Sequence, residues 1–296
     1  IADRRVLFRG KLLEKTLPKA MVLVREGLLS TDFSNHESLD DLAKDPRVQA
    51  IVAALPPSRH PDVVAVAATA GKPVLVEKPL AVDLPAAERA VQVAAKAGIQ
   101  AMVAHTLRFN SVIRALVDYR SHIGQLQLVS LNHRSEPVGR PWLDDERQGG
   151  LVFYTGVHGV DLLRTLTGAE ITDARGFARQ VAAHQISDVF CASLMLEPGP
   201  ILATMDNTRA TGGRTGRIEL VGDSGQLIAD HVHGWVDLVR DRSVSPMLVG
   251  QPVPTVQEAL RAFVDAVIDE RPVPVPLGEG LAAVAGAERI RAAIAD

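Results

Sequence analysis

Apolar residues recur along this chain in two rhythms, and the change between them falls near residue 106. Between residues 45 and 104, short apolar runs alternate with longer Ala-rich stretches at helical spacing. Ala50-Ile51-Val52-Ala53-Ala54 follows the Asp45-Pro46 turn and leaves through Pro56 and Pro57, which reads as a strand with a Pro-rich exit. Residues 61–70 have helical spacing and stop at Gly71. Val74-Leu75-Val76 is the next buried strand. Pro79, with no N–H to offer a ladder, ends it just beyond Glu77-Lys78. Strand, helix and strand in about 30 residues make a βαβ unit. Leu84 to Ala97 is an amphipathic helix with Pro85 in its first turn and Gly98 as its stop, and residues 99–104 form a further strand. Upstream, the pattern predicts a helix over 3–17, weakened by Gly10, a strand over 20–24 and a short helix over 38–44.

Beyond residue 106 the alternation stops. A helix over 111–122 precedes strand-like runs at 125–134, 171–182, 187–196, 200–207, 216–221 and 225–231. Tight Gly, Asp and Pro turns separate most of them, such as Glu197-Pro198-Gly199-Pro200 and Gly222-Asp223-Ser224-Gly225, so the sheet is expected to be largely antiparallel. A helix over 157–167 ends at Gly168. Helices over 255–269 and 279–294 close the chain across an extended Pro272-Val273-Pro274-Val275-Pro276 connector. The fold class is therefore α/β: a Rossmann-type domain over 1–106, then an α+β domain over 107–296 with a large, mostly antiparallel open sheet.

The 296 residues suffice for two domains, and a hydrophobic share of 47% is that of a globular enzyme. A net charge of −3 gives no pull toward nucleic acid or membrane, and no apolar run approaches the roughly 18 residues that span a bilayer. Cys191 stands alone in an apolar run and is expected to be a small buried residue; one cysteine suits a reducing compartment. With no secretory leader visible, the expected location is the cytoplasm. No Cys/His spacing indicates zinc, so no metal is expected, and no Gly-x-Ser-x-Gly indicates a serine hydrolase.

Glu77 and Lys78 leave the carboxyl end of a buried parallel strand, which is where open α/β sheets bind ligands. A solvated Glu-Lys pair is the plain alternative. The strand exit with His60, the Gly71-Lys72-x-Val74-x-x-Glu77-Lys78-Pro79 run, His105 to Asn110, Gly149-Gly150 and His158-Gly159-Val160-Asp161 follow one another in order. That ordered set resembles the glucose-fructose oxidoreductase / inositol dehydrogenase (Gfo/Idh/MocA) family from about Asn35 onward. The resemblance implies an NAD- or NADP-dependent dehydrogenase acting on a sugar or polyol. It also implies a homo-oligomer, dimer or tetramer, formed through the open sheet face, with the last helix packing back toward the first domain. Relatives that cleave glycosidic bonds with transient use of NAD, and non-catalytic sugar or dinucleotide binders, are the alternatives.

By the same resemblance Lys78 contacts substrate and nicotinamide; a salt bridge to Glu77 is its structural alternative. Pro56, Ser58 and His60 lie on the loop facing the nicotinamide ribose, beside Glu77 and Pro79. His105 and Arg108 point toward the cleft, an interdomain ion pair being the alternative for Arg108. Trp142 belongs to a loop that shapes the substrate pocket. His158, in the first turn of its helix, is the general acid/base, and Asp161 three residues on orients the imidazole beside the substrate; a packing His is the alternative. The family places Asp four residues before this His, whereas here the position holds Tyr154, whose hydroxyl needs a cationic neighbour to act as a base. No G-x-G-x-x-G occurs in the first thirty residues. Ile1-Ala2-Asp3 resembles the stretch after such a loop, with Ala2 in its third small-residue place. The expectation is that the first strand and glycine turn lie upstream, the alternative being that the protein lacks them. Arg25 and Glu26 close the following strand, where an acid bonds the ribose of NAD and an Arg accepts the phosphate of NADP, so the pair does not choose.

Overall fold

The computed structural model describes residues 21–25, 36–46, 48–137, 145, 148–181 and 186–295. Ala2, Glu26, Trp142 and the helix expected over 3–17 lie outside the described residues. The chain forms two compact units, the described residues up to His105 with Val256–Leu281, and Thr106–Thr255 with the described residues from Ala282 onward.

The first unit is built on four parallel strands in the order β1 (Met21–Arg25), β2 (Ala50–Ala54), β3 (Val74–Glu77), β4 (Ala101–Ala104). Helices α1 (His36–Lys44), α2 (His60–Thr69) and α3 (Leu84–Ala97) form the connections. β2, β3 and β4 read as unbroken apolar runs because both sheet faces are covered: Ile51, Val74, Val76, Met102 and Val103 have no accessible surface. α3 is delimited as its sequence demands. The Asp83 carboxylate accepts from the Ala86 N–H at 2.7 Å, Pro85 occupies the first turn, and Gly98 closes the helix at φ 66°. The proline connector runs beside β4, where the Val103 N–H donates to the Val275 carbonyl at 3.0 Å. From it enter the first residues of α7 (Leu277–Ile294), whose Gly280 lies tight against Leu80 and Val103. α6 (Thr255–Ile268) adds Phe263, which is fully buried.

The second unit is an eight-stranded sheet in the order β12-β11-β10-β9-β5-β8-β7-β6. Its strands are β5 (Leu126–Arg134), β6 (Glu170–Arg179), β7 (Val189–Glu197), β8 (Ile201–Thr208), β9 (Thr215–Gly222), β10 (Gly225–Asp230), β11 (Trp235–Arg240) and β12 (Ser243–Pro246). Every pairing is antiparallel except β5 with β8. Strict alternation puts Phe190, Ala192 and Leu194 of β7, and Ala203 and Met205 of β8, on the buried face. Helices α4 (Ser111–Tyr119) and α5 (Val157–Thr167) and the end of α7 complete the unit, and Gly286 of α7 admits the methyls of Val160 and Ile171. The other face is exposed. Its parity places Cys191 there, so the expectation of a buried thiol is corrected: a strand alternates, and both neighbours of Cys191 point inward. β11 and β12 have no counterpart in the strands expected from sequence.

Candidate active site

Two strand exits in the first unit are tied together by one imidazole. His60 opens α2 and is completely buried; its Nδ1 lies 2.7 Å from the Pro79 carbonyl and its Nε2 2.9 Å from the Leu55 carbonyl. Leu55 leads out of β2 toward Pro56 and the exposed Ser58, while Pro79 follows β3. Burial pushes the His60 pKa down to about 4 against the pull of both carbonyls, and the nearby Lys78 charge adds to the depression. The ring is neutral at physiological pH and enclosed, with a main-chain carbonyl close to each nitrogen and its single N–H donated to one of them, and it packs between the two strand exits.

Glu77 and Lys78 end β3 half-buried, and the Lys78–Pro79 peptide is cis. The Lys78 main-chain N–H donates to the Glu77 carboxylate at 3.2 Å. Desolvation pushes the Lys78 ammonium down to about 8, partly offset by the Glu77 charge. Desolvation likewise raises the Glu77 carboxyl, with Lys78 and the main-chain hydrogen bond opposing it. Such a cation, held short of full solvation, suits polarising an oxygen. His105, one residue past β4, is buried in the same unit.

In the second unit the segment before α5 is wound as a π-helical turn, Val152–Gly156, which carries Tyr154 half-buried. Gly159 lets α5 lie against the sheet, since a Cβ there would meet Met205 Sδ at 2.3 Å. His158 lines a small cavity together with Leu131, Met205, Asn207, Ile218, His133 and His231. Asp161, 1% exposed, faces Arg108, which donates from Nε at 3.0 and 3.1 Å to its two oxygens and from Nη2 at 2.6 Å. The Arg108 ion pair thus forms inside the second unit, with Asp161 as its partner, and the geometry makes this carboxylate an anchor for Arg108.

Asn207, His133 and His231 carry no sequence motif and were not among the expected site residues. Gly216 opposes His133 in the β5–β9 register, and its missing side chain makes room for His231, whose Nε2 lies 2.1 Å from where a Cβ would stand. The His133 and His231 rings lie nearly parallel with centroids 6.4 Å apart. Asp230 fixes the turn that delivers His231. Burial pushes its carboxyl up, but donors from the His233 ring and from the His233, Val232 and Gly216 N–H groups outweigh burial and hold it below the usual range. Burial keeps His231 below its ordinary value, helped by Arg214 and opposed by Asp230.

Two family models match in succession. One, described as an oxidoreductase family with an NAD-binding Rossmann fold, covers residues 17–105; the other, the GFO/IDH/MocA C-terminal domain, covers 89–228. The chain belongs to the Gfo/Idh/MocA family. Among Gfo/Idh/MocA proteins, the uncharacterized oxidoreductase YrbE of Bacillus subtilis is 31% identical over 64% of this chain and 58% of its own length. The myo-inositol 2-dehydrogenase of Thermotoga maritima is 28% identical over 68% and 62%. The chain spans about three fifths of the length of these curated relatives. The UDP-N-acetylglucosamine 3-dehydrogenase GnnA of Acidithiobacillus ferrooxidans has the same fold, with a TM-score of 0.77 at 21% identity over 86% of this chain and 81% of its own.

Proposed function

We propose that this protein is an NAD(P)-dependent oxidoreductase that passes a hydride between nicotinamide and a secondary alcohol of a sugar, polyol or inositol-like substrate. The observation that carries this reading is Lys78, a half-buried ammonium depressed to about 8 at the carboxyl end of a parallel strand in an NAD-binding family fold. The strand exits fit the dinucleotide's nicotinamide end: Pro56, Ser58, Glu77, Lys78 and Pro79 would hold it, braced from behind by His60. When bound, the nicotinamide supplies the hydride acceptor or donor. Lys78 holds and polarises the substrate oxygen, and Tyr154 adds a hydroxyl to the same task. His158 takes the hydroxyl proton during oxidation and returns it during reduction. The Arg108–Asp161 pair keeps the His158 helix in place. The myo-inositol 2-dehydrogenase relative supports a cyclic polyol as the first substrate class to try.

Titration with NAD(H) and NADP(H), then a polyol and sugar screen followed at 340 nm, tests the reading. Lys78→Met is expected to abolish turnover while leaving the fold and much of the cofactor affinity. Near-normal turnover of that variant would reject the role of Lys78. Release of free sugar at constant cofactor absorbance would indicate glycoside cleavage in its place, and absence of both binding and turnover a non-catalytic relative. Self-association through the open sheet face is part of the proposal, because Phe177, Met195, Leu202 and Val244 are all exposed there. A monomeric mass by light scattering would dismiss it. No helix among the described residues is long and apolar enough to cross a membrane; a cytoplasmic location is likewise proposed.

A further inference from the structure

Asn207 is a polar residue of the second unit that stands on the buried side of its strand. On β8 the inward parity runs Ile201, Ala203, Met205, Asn207, so the amide stands where the pattern calls for an apolar side chain. It is 2% exposed, and its buried Oδ1 has no hydrogen-bond partner among the described residues. Buried amide oxygens are ordinarily paired, and an unpaired one is a standing cost unless something outside the chain completes it. The strand registers align Asn207 with His133, and His133 with Gly216, over which the ring of His231 lies. The cavity that Asn207 lines is the one lined by His158.

We propose that Asn207, His133 and His231 form a subsite that reads a second hydroxyl of the substrate, next to the carbinol that His158 serves. The missing partner of Oδ1 must be a donor, which excludes a carboxylate or phosphate oxygen. A hydroxyl donates in this way, and a small cavity admits one such group rather than a second ring. The substrate thereby carries at least one further hydroxyl, as a polyol or sugar does, rather than being an isolated alcohol. This inference rests on the oxidoreductase reading of the same site.

The test uses the full chain loaded with NADH, with myo-inositol and its monodeoxy analogues as probes, by calorimetry. Wild-type protein is expected to bind myo-inositol about tenfold more tightly than the analogue lacking the read hydroxyl. Asn207→Leu should bring the two affinities together, and Asn207→Asp, which keeps an acceptor, should retain the difference. Asn207→Leu should also raise the melting temperature by about 2 to 4 °C, since it removes a buried amide oxygen left without a donor. An amide with a structural role would lower it. Equal affinities in the wild type, or unchanged discrimination in Asn207→Leu, overturns the subsite while polyol turnover keeps the oxidoreductase reading. Failure of the wild type to bind any of these polyols, or to oxidise one, overturns both.

Discussion

The state of His60 can be predicted from a conflict visible in its geometry. Both ring nitrogens lie within 2.9 Å of main-chain carbonyl oxygens, yet a neutral imidazole has only one N–H. One contact is therefore a hydrogen bond, and the other sets a lone pair against a carbonyl. Protonation would satisfy both, at the cost of placing a charge in a site with no accessible surface and close to the Lys78 charge. Burial prevails and the folded-state value falls to about 4. Between that value and the unfolded value of 6.5 the unfolded chain binds a proton that the folded chain refuses, so stability rises with pH across this window. The stabilisation is present in full above 6.5 and is lost as pH falls through 4. At about 1.4 kcal/mol per pH unit the window amounts to roughly 3 kcal/mol.

Urea unfolding at pH 7, 6, 5 and 4, followed by far-ultraviolet circular dichroism, reads this directly when His60→Met is measured beside the wild type. Subtracting the two curves removes the other histidines. The wild type is expected to lose about 3 kcal/mol relative to the variant over that range. Its ring resonances in a histidine-labelled sample should stay those of a neutral tautomer at pH 5. A flat difference curve, or a His60 that titrates near 6.5, would show that the second carbonyl outweighs burial and refute the reasoning.

Three further outcomes follow from the geometry of the two units. Arg108→Ala leaves Asp161 as a buried carboxylate without its guanidinium and should cost about 3 kcal/mol. The double variant Arg108→Met, Asp161→Leu should recover most of that loss, and additivity of the single costs in urea unfolding would refute the coupling. Gly216→Ala drives a Cβ into the half-buried His231 ring, so stability should fall by about 1 to 3 kcal/mol; the stacked His133–His231 ring resonances should shift and myo-inositol binding weaken. Lys78, depressed to about 8, should give turnover an alkaline limb that falls tenfold per pH unit above that value, while its share of stability rises from pH 8 to 10.5, because the folded state releases its proton first. A pH–rate profile level to pH 9.5 would exclude the ammonium from the chemistry.

The sequence made the first unit readable because its elements carry their own punctuation. Pro56-Pro57, Gly71, Pro79, Pro85 and Gly98 each forbid or permit a backbone state locally, and the observed ends of β2, β3 and α3 fall beside them. β11 and β12 lack that support. Ser243–Pro246 is wholly exposed and pairs only with β11, so it has no buried face to leave a trace in hydrophobicity. Side-chain pairing was less legible still. Asp161 three residues after His158 fits a same-face orienting contact, and its carboxylate is also met by Arg108, fifty-three residues earlier in the chain, which no local spacing announces. A local spacing says which residues share a face and nothing about which distant cation reaches it first.

Parity, by contrast, held information that motif spacing did not. Once β7 and β8 are known to alternate, Cys191 must face out and Asn207 must face in, and each then contradicts its chemical type. For a thiol, exposure is inexpensive, because it is a small group with weak hydrogen-bonding needs. For an amide, an unpaired inward position is costly, and a fold that tolerates the cost at a cavity shared with His158 keeps it for something that arrives later. The two mismatches are therefore not equivalent. A polar residue on the buried parity of a strand marks the site more sharply than the histidine motif does, since the motif is satisfied by a packing residue and the orphaned acceptor is not.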